Sequence, residues 1–332
     1  YYKTFMWPRK FWMLYEHFIR KAAGLGSAPL EADPDSYDKV NQHADVLVVG
    51  GGPAGLMAAL RAGQAGARVI IADEQNELGG SLLASRHSID GTPAAEWLRN
   101  MLASLGALPN VQLLPRSTVF GYYDQNFLAI AERRTDHIGL RAKGEARQCV
   151  HRVRVGRVVL ATGAIERPLV FANNDVPGVM QASTLSTYLN RYGVTPGRKL
   201  VLVTCNDHAY KTAIEWHQSG KRAAAVVAIV DSRHAVSGEL PKQARDLGIR
   251  VIEGSGLIEA QGRKRVGSAL VAPLSIEGDK VTGKATRLFC DVIACSGGWS
   301  PVIHLSSHTG AKPQWNDEIV AFLPGASVQK EQ

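Results

Sequence analysis

The sequence predicts an α/β protein built from two similar units, with the second inserted into the first. Residues 44–75 and residues 199–231 each follow the order strand, turn, helix and strand. In addition, an apolar strand that runs into a small-residue turn occurs twice, at 158–168 and at 290–301. A strand–helix–strand unit of this length is half of a Rossmann fold. We therefore predict a Rossmann-type FAD/NAD(P)-binding two-domain fold, with a second Rossmann-like domain inserted in the first.

Composition and charge are those of an ordinary globular protein. Of the 332 residues, 45% are hydrophobic and 20% are charged, and the formal net charge is +8. No basic run is long enough to predict nucleic-acid binding, and no apolar stretch is long enough to predict a membrane span. The four cysteines form neither a CxxC pair nor a zinc-type cluster. We therefore expect buried thiols, a cytoplasmic protein and no metal site.

The first 43 residues are predicted to form a helical arm followed by a linker. Apolar residues recur at helical spacing over 10–23, and Gly24 and Gly26 can end that helix. Two roles are open for its apolar face: packing on this chain's own core, or docking a partner or covering a cofactor. Residues 27–43 are polar and contain two prolines, which is typical of a surface linker. Because the chain does not begin with Met, we expect it to be a piece of a longer protein.

The first unit is predicted to occupy residues 44–168 and 287–332, and the inserted unit residues 169–286. Within the first unit, strands at 45–49 and 68–72 are near-continuous apolar runs. Such runs are expected of parallel strands that are covered on both faces. The segment between these two strands is predicted to contain the loop that binds a dinucleotide.

A glycine-rich loop between the first strand and its helix is the strongest functional signal. In Gly50-x-Gly52-x-x-Gly55, the glycines permit a tight turn, a close approach of a pyrophosphate, and packing of helix on strand. The N-terminus of the helix then faces the phosphates with free N–H groups. Asp73 ends the second strand, where a carboxylate binds ribose hydroxyls and disfavours the 2′-phosphate of NADP. The predicted cofactor contacts in this region also include Pro53, Ala54 and Glu74.

Two further segments limit the redox chemistry. Gly80 and Ser81, in "ELGGSLL", are predicted to lie beside the nucleotide, and no cysteine pair follows them, which excludes dithiol chemistry on this segment. In the second unit, the three glycine positions of the loop are occupied by Thr204, Asn206 and Ala209. Side chains at the first two obstruct the turn and the approach of phosphate. We therefore predict that the second unit keeps its fold but binds no nucleotide.

The segment "FLPGAS", at 322–327, bears on which dinucleotide the first unit holds. A layout of two nested dinucleotide-type domains is typical of the two-dinucleotide-domain flavoprotein superfamily. In the FAD-binding proteins of that superfamily, the matching strand typically ends in Gly-Asp, and the Asp contacts the ribityl chain. Here Gly325 is followed by Ala326. This difference favours NAD over FAD, with FAD as the alternative.

Several longer motifs resemble the α subunits of heterotetrameric sarcosine oxidases. Opine oxidases and hydrogen cyanide synthases, which are related amine-oxidising complexes, have similar cores. The motifs run along nearly the whole chain: "KTFMWPR", "ADVLVVGGGPAGLMAAL", "DEQNELGGSLL", "VFGYYDQNFL", "LATGAIERPLVFANNDVPGVM" and "CSGGWSPVIHLSSHTG".

The resemblance implies a non-reactive NAD in this chain, within a complex of α, β, γ and δ subunits. The complex would oxidise sarcosine to glycine at an FAD on a partner subunit, with an FMN at the subunit interface. Formaldehyde equivalents would pass to tetrahydrofolate, and H2O2 would form. By matching motifs, Ala161, Thr162 and Gly163 would lie beside the NAD. No residue of this chain would be an amine-oxidation catalyst, because that chemistry belongs to another subunit.

Two other functions are kept as alternatives. One is an FAD-binding subunit of an opine oxidase or a hydrogen cyanide synthase-like amine dehydrogenase. The other is a stand-alone FAD-dependent reductase that uses the same loop. The absence of a cysteine pair, the altered second loop and Ala326 all favour the NAD-binding subunit.

Overall fold

A computed structural model describes residues 8–26, 28–138, 144–220 and 225–327. Residues 3–7 of the "KTFMWPR" motif and residues 328–332 lie outside this part of the chain. The helices are α1 (Trp12–Ala22), α2 (Pro53–Gln64), α3 (Ala94–Gly106), α4 (Ala182–Asn190), α5 (His208–Gln218), α6 (Glu239–Asp246) and α7 (His304–His308).

The strands of the first half are β1 (Tyr37–Val49), β2 (Val69–Ala72), β3 (Ser88–Ile89), β4 (Thr92–Pro93), β5 (Val111–Leu114), β6 (Ser117–Tyr123), β7 (Phe127–Arg133), β8 (Gln148–Leu160), β9 (Ala164–Glu166) and β10 (Val179–Gln181). Those of the second half are β11 (Lys199–Thr204), β12 (Ala225–Asp231), β13 (Val251–Ile252), β14 (Ser255–Gln261), β15 (Ser268–Pro273), β16 (Thr286–Phe289), β17 (Val292–Ser296), β18 (Trp299–Pro301), β19 (Gln314–Asn316) and β20 (Ala321–Leu323).

The first unit is built on a six-stranded sheet in the order β5-β2-β1-β8-β7-β6. Strands β5, β2, β1 and β8 run parallel, and β6, β7 and β8 form an antiparallel meander. Leu47 and Val48 alternate between the two faces of β1, and both are fully buried, one in each of two separate hydrophobic clusters. Burial on both faces explains why the central strand is a continuous apolar run.

The second unit contains a five-stranded parallel sheet in the order β10-β17-β11-β12-β13 and an antiparallel sheet of β14, β15 and β16. One face of the parallel sheet packs on α4, α5 and α6 through a core that includes Tyr210 and Trp216. The other face packs on the antiparallel sheet through a second core. Both units are therefore α/β, as the sequence predicts.

Strand β17 differs from the predicted domain boundary. The sequence places residues 287–332 with the first unit, whereas β17 pairs in parallel with β10 and β11 of the second sheet. All five residues of β17 are buried, and the strand lies inside that sheet, between β10 and β11. An apolar strand pattern identifies a buried strand but not the sheet to which it belongs. The other boundaries of the two units remain a prediction.

The chain crosses between the units on a short antiparallel ribbon. Strand β9 carries the chain out of the first unit, and β18 brings it back, with Trp299 opposite Glu166. Backbone bonds extend the pairing, because Gly297 N donates to Arg167 O and Arg167 N donates to Gly298 O, each at 2.8 Å. The two similar small-residue turns of the sequence are thus the two crossings.

In the N-terminal segments, the structure bears on one question that the sequence leaves open and departs from one prediction. Helix α1 forms at the predicted place but has no buried residue in the described part of the chain, and Met13 and Phe18 are well exposed. Packing on this chain's own core is therefore not what its apolar face does here. Residues 37–43 of the predicted linker are part of β1, where they pair with β8. None of the described helices has the length and apolar content needed to cross a membrane.

Candidate functional site

The glycine-rich loop leads from β1 into α2, and two of its glycines are required by close contacts. Gly50 has φ +104°, and a Cβ there would lie 2.3 Å from the carbonyl oxygen of Ala161. A Cβ on Gly55 would lie 1.9 Å from the carbonyl oxygen of Gly50. Any side chain at these positions would force the loop apart.

Gly52 has a different environment from its neighbours. A Cβ built on it meets nothing within 4 Å, and its φ of −74° is accessible to any residue. The fold itself therefore does not require glycine at this position. Gly52 is also the N-cap of α2, and Pro53 and Ala54 form the first turn, where helical N–H groups face outward. This open backbone at a helix N-terminus is suited to a phosphate group.

Asp73 lies at the end of β2 and bonds to the glycine-rich loop. Its Oδ2 accepts from the backbone N–H of Gly51 at 2.5 Å, and its Oδ1 accepts from the N–H of Gln75 at 2.8 Å. The carboxylate is half-buried, whereas the side chain of Glu74 is exposed. The carbonyl of Glu74 accepts from the Arg133 guanidinium at 2.7 Å. Of the two acidic residues, Asp73 is the one held beside the loop.

The "ELGG" segment folds back onto the loop from the other side. Gly79 N donates to Gly51 O at 2.7 Å, and a Cβ on Gly80 would lie 2.9 Å from the Cα of Gly52. Ser81 is exposed in the short 3-10 helix Gly80–Ala84. The segment therefore borders the open face at Gly52.

The turn after β8 lies directly beside Gly50. Ala161 N donates to the carbonyl of Val49 at 2.8 Å, in continuation of the β1–β8 pairing. The Thr162 hydroxyl donates to the carbonyl of Val302 at 2.7 Å, and Val302 N donates to Gly163 O at 3.0 Å. These bonds connect the nucleotide-type loop to the segment that returns from the second unit. The structure thus brings the predicted site residues to the carboxyl ends of the parallel strands of the first sheet.

The second unit keeps the strand–helix–strand order, but polar side chains fill its loop. Asn206 Nδ2 donates to the backbone and to the hydroxyl of Ser296, and Asn206 Oδ1 accepts from Ala209 N at 3.3 Å. The side chain therefore satisfies an N–H of α5 that a phosphate would otherwise bind. Asp207, beside it, adds a carboxylate at this helix terminus, which disfavours anions.

Asp231, at the end of β12, is already bonded within the protein. It is fully buried, and Arg233 pairs with both of its oxygens, at 3.0 and 2.7 Å. The Tyr210 hydroxyl donates to Oδ2 at 2.8 Å, and the N–H of Arg233 donates to Oδ1 at 3.0 Å. Four bonds to one carboxylate leave it poorly placed to accept from a ribose. Burial, followed by the bond to Asp231, raises the pKa of Tyr210 well above its usual range.

Two of the four cysteines, Cys290 and Cys295, are inert thiols in this fold. Cys149, Cys290 and Cys295 are buried, and Cys205 is half-buried. Burial, followed by a neighbouring carboxylate, raises the pKa of both Cys290 and Cys295 to about 12. Buried thiols with raised pKa values are inert.

A cluster of polar side chains lies beside the interdomain ribbon, and the sequence alone assigns no role to its members. His208, at the start of α5, contacts the ring of Trp299 edge-on, with 5.3 Å between centroids. Desolvation by burial is the main cause that lowers the pKa values of His208 and Lys211. Glu166, on β9, is buried and accepts from Ser183 N at 2.8 Å. Only the pairing of β9 with β18 reveals this group, because its members are far apart in the sequence.

Sequence reasoning also missed a group on the antiparallel meander. Glu132, Cys149 and His151 each offer one metal-ligating atom, and these atoms lie within 4.8 Å of one another. The signal for it was a Cys-x-His pair on a strand, which places both side chains on one face of the sheet. The third residue becomes visible only through the register of β7 with β8.

Comparison with known proteins supports the fold and the family. The alpha chain of a sarcosine oxidase from Rhizobium meliloti (strain 1021) is 46% identical over 99% of this chain and 32% of its own length. An opine oxidase subunit from Agrobacterium tumefaciens (strain Ach5) is 31% identical over 84% of this chain and 57% of its own length. The predicted resemblance is confirmed, and the chain spans about a third of the first relative.

A solved structure shows the same fold at low identity. The thioredoxin reductase of T. acidophilum superposes with a TM-score of 0.63 at 17% identity, over 87% of this chain and 92% of that one. The model of the family described as pyridine nucleotide-disulphide oxidoreductase matches residues 44–321, which include the loop, Asp73 and both crossings. The chain therefore belongs to the pyridine nucleotide-disulphide oxidoreductase family.

Proposed function

We propose that this chain is the NAD-binding portion of one subunit in a multi-subunit, flavin-dependent oxidase of sarcosine or a similar secondary amine. The observation that carries the proposal is the open backbone at Gly52, at the N-terminus of α2, with the Asp73 carboxylate held beside it. In this arrangement, the N–H groups of Ala54 and Gly55 would bind the pyrophosphate, and Asp73 would accept from ribose hydroxyls.

The charge at the end of β2 supports NAD rather than NADP. Asp73 is a carboxylate fixed by two backbone N–H groups, so it cannot move away readily from a 2′-phosphate. Repulsion between the Asp73 carboxylate and a nearby 2′-phosphate disfavours the phosphorylated cofactor. Ala326 after Gly325 supports NAD rather than FAD, because it offers no carboxylate to a ribityl chain.

We also propose that the NAD takes no part in the redox reaction. A reductase of this family type needs a second electron carrier, a thiol pair or a second nucleotide, close to the first. The loop of the first unit has no cysteine near it in sequence. In the second unit, Asn206 and Arg233 occupy the bonding positions that a nucleotide would need. The bound cofactor would therefore stabilise the protein by binding only its folded state.

The reaction of the whole complex is proposed from similarity. The proposed reaction is the oxidative demethylation of sarcosine to glycine, with formaldehyde or methylene-tetrahydrofolate and H2O2 as the other products. FAD would lie in a partner subunit, FMN at an interface with a partner, and the partners would be of β, γ and δ type. The support is 46% identity to the alpha chain of a sarcosine oxidase, compared with 31% to the opine oxidase relative. An FAD-binding subunit of an opine oxidase-like dehydrogenase is the alternative that the second relative favours.

Identification of the released nucleotide tests the proposal. The purified chain is denatured, and the nucleotide in the supernatant is identified by mass spectrometry after an absorption spectrum of the native protein. A colourless chain that releases NAD is the expected result. A yellow chain that releases FAD would overturn the NAD assignment and favour the alternative.

A further inference from the structure

We propose that Glu132, Cys149 and His151 form a zinc-binding site on the antiparallel meander. Strands β7 and β8 are antiparallel, and Glu132 lies directly opposite Cys149. His151 is two residues further along β8, so its side chain is on the same face as that of Cys149. The three ligand atoms lie within 4.8 Å of one another.

The donors are held in a preorganised and largely dry position. Cys149 and His151 are buried, at 0% and 2% exposure, and His151 Nε2 lies 2.9 Å from Glu132 Oε2. His151 Nδ1 is buried and has no hydrogen-bond partner. Both ligands on β8 are fixed by a paired sheet rather than by a loop, which limits their movement. A site built on strands keeps its ligand geometry better than one built on loops.

The chemistry of the donors selects the metal. A thiolate, an imidazole and a carboxylate are the three ligand types of zinc in proteins, usually with four-coordinate geometry. The thiolate disfavours calcium and magnesium, which prefer oxygen ligands. On binding, the Cys149 thiol releases its proton to solvent, and the neutral His151 ring binds zinc through the nitrogen that carries no proton, while its one proton stays on the other nitrogen. Because three protein ligands are present, a water takes the fourth position.

The charges around the cluster are compatible with a divalent ion. Arg134 donates to Glu132 Oε2 at 2.8 Å and also pairs with Asp38 at 3.0 Å. The described bonds to Glu132 thus use Oε2, which leaves Oε1 for a metal. Asp38 neutralises Arg134, and the Cys149 thiolate with the Glu132 carboxylate neutralises zinc. Glu132 also lines a cleft of about 510 Å³, so this ligand is on the solvent side of the cluster.

Zinc content and cobalt spectroscopy of the complete polypeptide test the site. We expect the purified protein to retain a single zinc ion, and its cobalt-substituted form to show the near-ultraviolet charge-transfer band of a cobalt–thiolate bond. Cys149→Ser should abolish that band, and His151→Ala should lower zinc affinity by at least about 100-fold, since loss of an outer-shell partner alone costs about 10–100-fold. Cys205→Ser, which changes a thiol outside the cluster, should leave the zinc content and the band unchanged.

A second variant keeps the test valid if the buried substitutions prevent folding. Glu132→Gln changes the partly exposed ligand and should lower zinc affinity while far-ultraviolet circular dichroism stays that of the wild type. Glu145→Gln, at the rim of the same cleft, is its matched control. The proposal is overturned if the folded protein takes up no zinc when zinc is added, or if folded Cys149→Ser keeps the thiolate band.

Discussion

The Asp73 carboxylate and the backbone of Gly51 are joined by a 2.5 Å hydrogen bond, which connects the end of β2 to the glycine-rich loop after β1. A single side chain therefore both shapes the loop and presents a carboxylate beside it. We expect Asp73→Ala to weaken NAD binding by about 10–100-fold, because a hydrogen bond to a charged group contributes about 1.5–3 kcal/mol. Titration calorimetry on the nucleotide-free protein measures the change. Asp175→Ala, at an exposed position, should bind NAD as the wild type does.

Substitution of Gly52 should weaken NAD binding without destabilising the fold. Because a Cβ at Gly52 meets nothing within 4 Å, Gly52→Ala should change the free energy of unfolding by no more than about 1 kcal/mol. The same methyl group lies on the open face that the pyrophosphate would approach, so NAD binding should fall strongly. Gly106→Ala, where a Cβ also meets nothing within 4 Å, should change neither property appreciably. Undiminished binding by Gly52→Ala would place the pyrophosphate elsewhere.

Gly50 should show the opposite behaviour. Its φ of +104° and the 2.3 Å approach of Ala161 O both penalise a side chain. Gly50→Ala should therefore lower the free energy of unfolding by about 2 kcal/mol or more. Urea denaturation measures the loss, and a variant as stable as the wild type would contradict the packing described for this turn.

The ion pair between Arg233 and Asp231 should be important for the stability of the second unit. Asp231 is fully buried, so removal of its cationic partner leaves a buried charge whose remaining partners, among the described residues, are the Tyr210 hydroxyl and a backbone N–H. We expect Arg233→Ala to destabilise the protein by about 3 kcal/mol. Arg250→Ala, an exposed arginine, is the control for loss of charge. If the two variants unfold at the same urea concentration, the pair contributes nothing specific.

The buried thiols predict a pH dependence in the alkaline range. The pKa values of Cys290 and Cys295 are raised to about 12, chiefly by burial, so the folded state holds these protons more tightly than the unfolded state does. Their contribution to stability is therefore complete below the unfolded thiol pKa, near 9, and is lost as the pH rises toward 12. A Cys295→Ala variant should lose less stability than the wild type over that range. At neutral pH, neither thiol should react with a thiol reagent until the protein is unfolded.

Local sequence patterns predicted the α/β class, the first strand–loop–helix and the position of Asp73. These features depend on residues close together in the chain, where spacing and glycine placement limit the backbone. The same patterns did not reveal that β17 lies in the second sheet, because its apolar run satisfies either sheet equally. The sequence also did not predict that the apolar face of α1 is exposed, because helical periodicity identifies an apolar face but not what covers it.

For the loop of the second unit and for the Glu132 cluster, the sequence again predicted some features, and only the structure showed the others. The loss of glycines at Thr204 and Asn206 was readable in the sequence. The ion pair between Arg233 and Asp231 was not, because it depends on the conformation of the turn after β12. Glu132, Cys149 and His151 come together only through the register of β7 with β8. Sequence spacing cannot give a register that the whole meander determines.

The proposed role of this chain is to hold one NAD that takes no part in the oxidation of the amine. Anaerobic addition of the amine to the complete complex tests this role, with absorbance followed in the visible flavin bands and in the near-ultraviolet band of reduced nicotinamide. We predict that the flavin bands bleach and that no reduced nicotinamide forms. Formation of NADH in step with loss of the amine would contradict this role, because it would make the nucleotide at Gly52 a reactant.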